Sequence, residues 1–459
     1  MTLLAMAKPE GLDKKGKTMK VCRTIGAVLA ILLLSVGVSA WGKVYIDIDS
    51  PAFQKFPIAV QDFTVLDGRE DPGENALWFA DHMGNALGLT GYFRVINRAA
   101  FLEDRATAGI TAPEIRFGDW LSIGADFLVK GGFEFDGRRL SAEFRLFDVV
   151  RGSLITGKKY WGGLEDRTAM VMKFADEVIL ALTGLRGVFG TKIAFVAKQG
   201  DISELYTVNF DGSGLEKRTD YQALTLLPRW SPDGGKLSFV SYIGNNSDSY
   251  LLNLATKQRT VLTNFPGLNM PSDWSNDGKR ILTVLSKDGH NNVYELDLTT
   301  KAVRQLTHGP AIDVSPSWSP DESEIVFVSN RSGAPQLFVM DADGKNVRRI
   351  TFDGSYNTSP QWSPAGDTIV YVGAADGLFQ LFTISARGGT PTQLTYGSEE
   401  SLGPSWSPDG RYIVFTRRQG GTESICIINS NGLNFRFIGS VGGGVSAKNP
   451  SWSPFLDMY

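Results

Sequence analysis

The stretch Trp230-Ser231-Pro232-Asp233-Gly234 decides the fold, because it returns along the second half of the chain at a fixed spacing. Related segments start at Trp274 (WSNDG), Trp318 (WSPDE), Trp362 (WSPAG), Trp406 (WSPDG) and Trp452 (WSPFL). The first five tryptophans are 44 residues apart, and the last follows after 46. Six tryptophans in one register indicate a repeated structural unit.

Each unit contains four strand-like segments. After the turn comes an apolar run such as EIVFVSN (324–330), followed by a second run such as QLFVMDA (336–342). A third run ends in Leu-Thr or Ile-Thr, as in VRRIT (347–351). Together with a short strand at the tryptophan, these make four strands in about 44 residues, which is typical of a β-propeller blade.

The count of units predicts a closed ring of six blades. Residues 192–219 contain three strand-like runs with no tryptophan segment before them, whereas no blade follows Trp452. We expect the C-terminal segment to supply the inner strand of the first blade, because closure removes exposed strand edges. The six repeated tryptophans are then structural side chains packed between blades. A catalytic role for them is disfavoured, since six sites would need six sets of partners.

We expect residues 41–186 to form a separate α/β domain. Residues 187–191 are then a linker, and residues 192–459 form the propeller. Residues 57–60 and 93–96 have strand character, and 76–89 have helical character. Residues 125–161 predict a meander, with Asp136-Gly137 as a hairpin turn. A last helix places apolar residues on one face, at Val171, Phe174, Ala175, Val178 and Leu182.

The N-terminus predicts a secretory signal peptide over residues 1–40, with Met19 as an alternative start. Six cations precede an uncharged apolar run from Ile25 to Val38, and Val38-Ser39-Ala40 fits a cleavage site. Cleavage after Ala40 removes six cations and two anions, so the formal net charge falls from −3 to −7. Cys426 would remain as a single cysteine. We therefore expect an exported, periplasmic protein without a disulfide or a membrane span.

Motifs for catalysis and metal binding are missing from the sequence. It contains no G-x-S-x-G elbow, and its three histidines lack metal-ligand spacing. The acidic net charge argues against nucleic-acid binding. We expect no enzyme activity, no cofactor and a monomer, although a propeller hydrolase without a recognisable nucleophile motif and a cation at the channel mouth both stay open.

Surface recognition is the remaining function, and two regions are candidates for it. The links between blades carry apolar side chains beside polar ones, which suits a protein ligand. The candidate residues in the links are Leu268, Asn269, Pro271, Ile312, Asp313, Val314, Tyr356, Asn357, Glu399 and Glu400. The second region alternates apolar and polar residues and predicts a strand that pairs with its own domain or with a partner's sheet. Its residues are Lys43, Val44, Tyr45, Ile46, Asp47 and Ile48.

An α/β domain followed by six WSPDG-type blades resembles the TolB family, the periplasmic β-propeller component of the Tol-Pal system. The KVYIDID segment (43–49), the GTKIAFV segment (190–196) and the terminal PSWSPFL (450–456) support the resemblance. It implies that the propeller binds the peptidoglycan-associated lipoprotein Pal and that the N-terminal segment binds TolA. It also implies a role in outer-membrane integrity and in constriction at cell division.

The resemblance points to particular link residues. Family positions implicated in Pal contact match Leu268, Pro271 and Val314 in this chain. The family has a histidine where this chain has Leu268, so the chemistry of that contact must differ here.

Overall fold

The computed structural model describes residues 54–71, 74–103, 109–438 and 445–456, and the structural statements below concern those residues. They form an α/β region and six four-stranded antiparallel sheets, which confirms the predicted fold class. The predicted signal peptide (1–40) and the candidate segment 43–48 lie outside the described residues.

The α/β region is built on one mixed sheet. Its strands are β1 (Phe56–Val60), β2 (Thr64–Val65), β3 (Phe93–Val95), β4 (Phe127–Phe135), β5 (Leu140–Asp148) and β6 (Ser153–Gly162). The order is β3-β1-β4-β5-β6, with β2 beside β4. The helices are α1 (Asn75–Leu89), α2 (Phe117–Ser122) and α3 (Arg167–Thr183), with 3₁₀ turns at Arg98–Ala100, Ala112–Glu114 and Leu164–Asp166.

The helical periodicity identifies the buried face of α3 correctly. All five apolar residues predicted on that face are buried, and Gly184 ends the helix in the left-handed conformation with φ 74°. Phe174 of α3 stacks on Phe144 of β5, with ring centroids 5.2 Å apart. Helices α1 and α3 therefore share one core with the sheet.

The propeller consists of six blades, each a four-stranded sheet. Blade 1 contains β7 (Lys192–Gln199), β8 (Ile202–Asn209), β9 (Glu216–Lys217) and β30 (Ser446–Trp452). Blade 2 contains β10 (Thr225–Trp230), β11 (Lys236–Ser241), β12 (Asp248–Asn253) and β13 (Arg259–Thr263). Blade 3 contains β14 (Asn269–Trp274), β15 (Arg280–Leu285), β16 (Asn292–Asp297) and β17 (Val303–Gln305).

The other three blades repeat this pattern. Blade 4 contains β18 (Asp313–Trp318), β19 (Glu324–Ser329), β20 (Gln336–Asp341) and β21 (Arg348–Arg349). Blade 5 contains β22 (Asn357–Trp362), β23 (Thr368–Ala375), β24 (Leu378–Ser385) and β25 (Thr392–Gln393). Blade 6 contains β26 (Glu400–Trp406), β27 (Tyr412–Gln419), β28 (Thr422–Asn429) and β29 (Arg436–Phe437).

The ring closes as the sequence predicts. The C-terminal strand β30 pairs antiparallel with β7, and Trp452 lies opposite Ile193. The strand that ends at the repeated tryptophan is the inner strand of each blade, because these six strands line a central channel. All six repeated tryptophans are buried, and their structural role stays a prediction.

Hydrogen bonds explain the repeated Ser-Pro-Asp-Gly turn. The Ser231 hydroxyl donates to Asp233 Oδ1 over 2.5 Å, and the same hydroxyl oxygen accepts the Lys236 amide over 2.9 Å. The turn residue Gly234 has φ 68°, a conformation that glycine adopts without strain. The sequence WSPDG is therefore a self-contained tight turn between the inner strand and the next strand.

In several repeats, the side chain of the residue that precedes the tryptophan joins neighbouring blades. Asp273 Oδ2 accepts the backbone N–H of Trp318 over 2.9 Å, one blade further on. In the same way, the Gln361 side chain accepts the Trp406 N–H at a distance of 2.6 Å. The Ser405 hydroxyl oxygen accepts the Trp452 N–H at 3.0 Å. Polar side chains at this position therefore hold neighbouring blades together by hydrogen bonds.

Five inner strands carry a bulge next to a proline, and four of these prolines line the channel. The residue before that proline is in the left-handed conformation, with φ between 51° and 55°. These residues are Leu227, Ser315, Ser359, Gly403 and Asn449. The strand register shifts at the same places, so the bulges bend the inner strands.

Candidate binding surface

The propeller has two faces, which we name by their connections. The turn face is formed by the Trp-Ser-Pro-Asp-Gly turns and the turns between the third and fourth strands of each blade. The link face is formed by the links between blades and the turns between the second and third strands. Because the strands of a blade are antiparallel, these two sets of connections lie at opposite ends.

The α/β region packs on the turn face at blade 6. The Tyr412 hydroxyl donates to the Thr90 carbonyl oxygen over 3.0 Å, and Arg411 Nη2 donates to Thr183 Oγ1 over 3.0 Å. Burial raises the pKa of Tyr412 well above its usual value, so the hydroxyl keeps its proton and remains a donor. These contacts place the α/β region at the end of the blades opposite the link face.

A buried threonine stands at the start of the link after each of blades 1 to 5. Thr307 Oγ1 accepts the Val293 N–H over 2.9 Å, and Thr351 Oγ1 accepts the Leu337 N–H over 2.9 Å. This bond explains why Leu-Thr or Ile-Thr recurs in the repeat. The link residues after the threonine are free to vary because the threonine has already anchored the chain.

The predicted link residues differ in exposure. Ile312 and Tyr356 are exposed, with 48% and 40% of their surface accessible. The half-buried residues are Leu268, Val314, Glu399 and Glu400. The buried ones are Asn269, Pro271, Asp313 and Asn357.

Three of the buried residues make side-chain contacts with their own link, their own blade or the preceding blade. Asp313 accepts Arg331 Nη2 over 3.0 Å, and Asn269 Nδ2 donates to the Phe265 carbonyl oxygen over 2.7 Å. Asn357 Nδ2 donates to the side chain of Gln336 over 2.9 Å. Each of the three is the first residue of an inner strand, where it holds the end of a link. Their role in partner contact stays a prediction.

The other two predicted carboxylates of the link face are also held by arginines. Glu399 lies 2.7 Å from Arg417 Nη2, and Glu400 lies 3.0 Å from Arg418 Nη1. Arg418 also contacts Glu423 over 2.9 Å. These ion pairs position the charges near blade 6 and balance them locally.

The sequence analysis missed two exposed aromatic residues of the links. Phe352 and Tyr396 are 71% and 70% exposed, and each follows a buried anchoring threonine, Thr351 or Thr395. The same position holds Asn264 and His308 in earlier repeats. Aligning the repeats would have shown aromatic residues at a position that is otherwise polar. Arg349 lies over the Phe352 ring, 4.9 Å from its centroid.

Two features of the described ranges bear on other functions. Within them, no group of three or more His, Cys, Asp or Glu side chains is arranged to hold a metal ion. No helix in those ranges combines the length and apolar character needed to cross a membrane. The cation at the channel mouth stays a prediction.

Family models match both parts of the chain. A model described as the TolB beta propeller domain matches residues 180–456, which is more than half of the chain. A model described as the TolB amino-terminal domain matches residues 44–155.

Similar proteins carry the same family name. The Tol-Pal system protein TolB of Syntrophus aciditrophicus is 48% identical over 200 residues, which cover 43% of this chain and 44% of the relative. TolB of Syntrophotalea carbinolica is 36% identical over 212 residues, which cover 46% of this chain and 48% of the relative. The chain thus spans less than half the length of these relatives. The crystal structure of TolB from Acinetobacter baumannii matches with a TM-score of 0.77 and 26% identity, over 87% of this chain and 97% of that one.

Proposed function

This chain belongs to the TolB family, and from that membership we propose that it is a non-enzymatic adaptor of the Tol-Pal system in the periplasm. The propeller binds the lipoprotein Pal through the link face, and the segment 43–48 binds TolA. Together these contacts serve outer-membrane integrity and constriction at cell division. The relatives named as Tol-Pal system proteins support this proposal.

One observation of the structure carries the proposal. The α/β region occupies the turn face, whereas the link face at the other end of the blades presents exposed apolar and aromatic side chains. Four of these are Ile312, Tyr356, Phe352 and Tyr396. Exposed aromatic and apolar side chains beside polar ones are typical of protein-binding surfaces.

Capture of purified Pal by the full chain tests the role of the link face. We expect Ile312→Asp combined with Tyr356→Ala to weaken capture at least tenfold, because a charge would then face an apolar contact. The matched control is Val261→Asp on the outer strand β13, since Val261 is 49% exposed and Ile312 is 48% exposed. Equal capture by the double variant and the control would contradict this assignment.

Capture of TolA tests the N-terminal segment separately. Deletion of residues 43–48 should abolish TolA capture and leave Pal capture unchanged, because the two partners use different parts of the chain. Full TolA capture by the deletion variant would exclude this segment as the contact.

A further inference from the structure

The Trp-Ser-Pro-Asp-Gly turns of neighbouring blades approach each other through their third and fifth residues. A Cβ atom added to Gly278, Gly366 or Gly410 would lie 3.3–3.8 Å from the proline in the turn of the preceding blade. These prolines are Pro232, Pro320 and Pro364. At these three junctions the turns therefore meet as a proline ring against a glycine, without a polar side chain.

The junction between blades 3 and 4 departs from this pattern at both positions. Asn276 stands where the other turns have proline, and Glu322 stands where most of them have glycine. Glu322 is in the left-handed conformation, with φ 57°, which a residue other than glycine adopts at a cost in energy. The structure joins the two departures directly.

Hydrogen bonds connect the two residues in a way that proline and glycine cannot. The backbone N–H of Asn276 donates to Glu322 Oε1, and proline has no N–H to donate. Asn276 Nδ2 also donates to the Pro320 carbonyl oxygen in the turn of blade 4, over 2.7 Å. Each replacement therefore supplies the partner of the other.

An arginine of blade 3 extends this contact into a network of alternating charges. Arg280 of β15 donates through Nη2 to Glu322 Oε2 and through Nη1 to Glu295 Oε2, the latter over 3.2 Å. Arg304 lies 3.2 Å from Glu295 Oε1 and donates to the Ala342 carbonyl oxygen of blade 4, also over 3.2 Å. The side chains of Glu295 and Glu322 are 12% and 17% exposed, so water screens these ion pairs less than fully exposed ones.

The repeated tryptophan at this junction lacks a bond that others make. The indole N–H groups of Trp230, Trp274 and Trp406 each donate to the preceding blade. Trp318 Nε1 is buried and makes no hydrogen bond with the described residues. Arg280 lies over the Trp318 ring instead, 5.4 Å from its centroid. The charge network thus stands where an indole hydrogen bond joins other pairs of blades.

We propose that Asn276, Arg280 and Glu322 form a polar latch that fixes blade 4 to blade 3 on the turn face. In a ring of six, this junction lies opposite the one between blades 6 and 1, where the α/β region shares a hydrophobic core with both blades. The turn face is held at two opposite junctions, by apolar packing at one and by the latch at the other. Separation of blades 3 and 4 requires the latch to break.

Amide hydrogen exchange of the full chain tests the latch. Glu322→Ala removes the carboxylate, so the Asn276 amide loses its acceptor. We expect exchange in the turns 274–280 and 318–324 to rise at least about threefold, because the junction opens more often. Exchange in the turns 362–368 and 406–412 should stay unchanged, and the melting temperature should fall by about 2–4 °C.

Glu324→Ala is the matched control. Glu324 lies two residues further along the same blade and pairs with Arg348 of that blade over 3.0 Å. This variant should leave exchange in the turns of blades 3 and 4 unchanged. If Glu322→Ala does not fold, Glu322→Gln provides the same comparison, since it keeps the size of the side chain and removes the charge that Arg280 pairs with.

A pair of substitutions tests whether the two departures depend on each other. Asn276→Pro alone should lower the melting temperature, because Glu322 Oε1 loses its donor. In the Glu322→Gly background, which restores the usual proline and glycine pair, the same substitution should cost less or nothing. Equal costs in both backgrounds would overturn the proposal, and so would a Glu322→Ala variant whose exchange is unchanged or rises equally in all the turns.

Discussion

The turn face and the link face of the propeller are built from the same repeated strands, but they carry different side chains at equivalent positions. On the turn face, the position six residues after each repeated tryptophan holds Lys236, Arg280, Glu324 or Thr368 in blades 2 to 5, and Tyr412 in blade 6. Tyr412 is buried where the α/β region packs. On the link face, aromatic residues replace polar ones at Phe352 and Tyr396, but these remain exposed. The departure at Tyr412 thus coincides with a contact inside the chain, whereas the departures at Phe352 and Tyr396 leave aromatic side chains exposed.

The largest loss of stability should come from a substitution on the turn face, where the α/β region packs. Tyr412 is 2% exposed, contacts the Phe210 and Trp452 rings and donates to Thr90. We expect Tyr412→Ala to lower the free energy of unfolding by about 3–5 kcal/mol, as for other large buried aromatic residues. Denaturant unfolding followed by tryptophan fluorescence measures this loss.

Lys236→Ala, at the same position in blade 2, is the control for Tyr412→Ala and should change stability by about 0.5 kcal/mol or less. Equal losses for the two variants would show that the α/β region adds nothing at this position.

A smaller effect should appear as a pH dependence of the free energy of unfolding, caused by Asp176 of α3. Burial raises the pKa of Asp176 in α3 to about 6, and its Oδ1 accepts the Phe189 N–H over 3.0 Å. Because its pKa is higher in the folded than in the unfolded state, Asp176 favours folding at low pH, and this contribution is lost as pH rises from about 4 to 6. Relative to Asp176→Asn, the wild type should lose up to about 1.4 kcal/mol of unfolding free energy per pH unit in that window.

Glu177→Gln, one residue further along α3, provides the reference for the pH experiment, since Glu177 pairs with Lys158 nearer the surface. Parallel pH curves for the wild type and Asp176→Asn would rule out Asp176 as the source of the dependence.

The smallest change in stability is expected from substitutions on the link face. Phe352→Ala combined with Tyr396→Ala should change the free energy of unfolding by about 0.5 kcal/mol or less for each residue, because both side chains are mostly exposed. The same double variant should lose Pal capture if the link face is the binding surface. A large loss of stability would instead assign the two rings a structural role.

The repeat made most of the fold predictable, and long-range contacts explain what was missed. The spacing of the tryptophans is a local property of the sequence, so the blades and their closure could be derived from it. The link residues were harder, because Asn269, Asp313 and Asn357 are polar residues typical of loops and yet begin buried strands. The contact between Arg411 and Thr183 joins residues that are 228 positions apart, and no local pattern encodes it.

The closure of blade 1 also determines when this propeller can finish folding. Its inner strand, β30, is translated after every other strand described here, yet it pairs with β7, the first strand of the ring. Until residues 446–452 leave the ribosome, β7 has an open edge, and the site of Trp452 beside Phe210 and Tyr412 lacks its largest side chain. Open edges and exposed apolar surface promote aggregation. The ring therefore cannot close until its last described strand has been synthesised, although five complete blades can form before it.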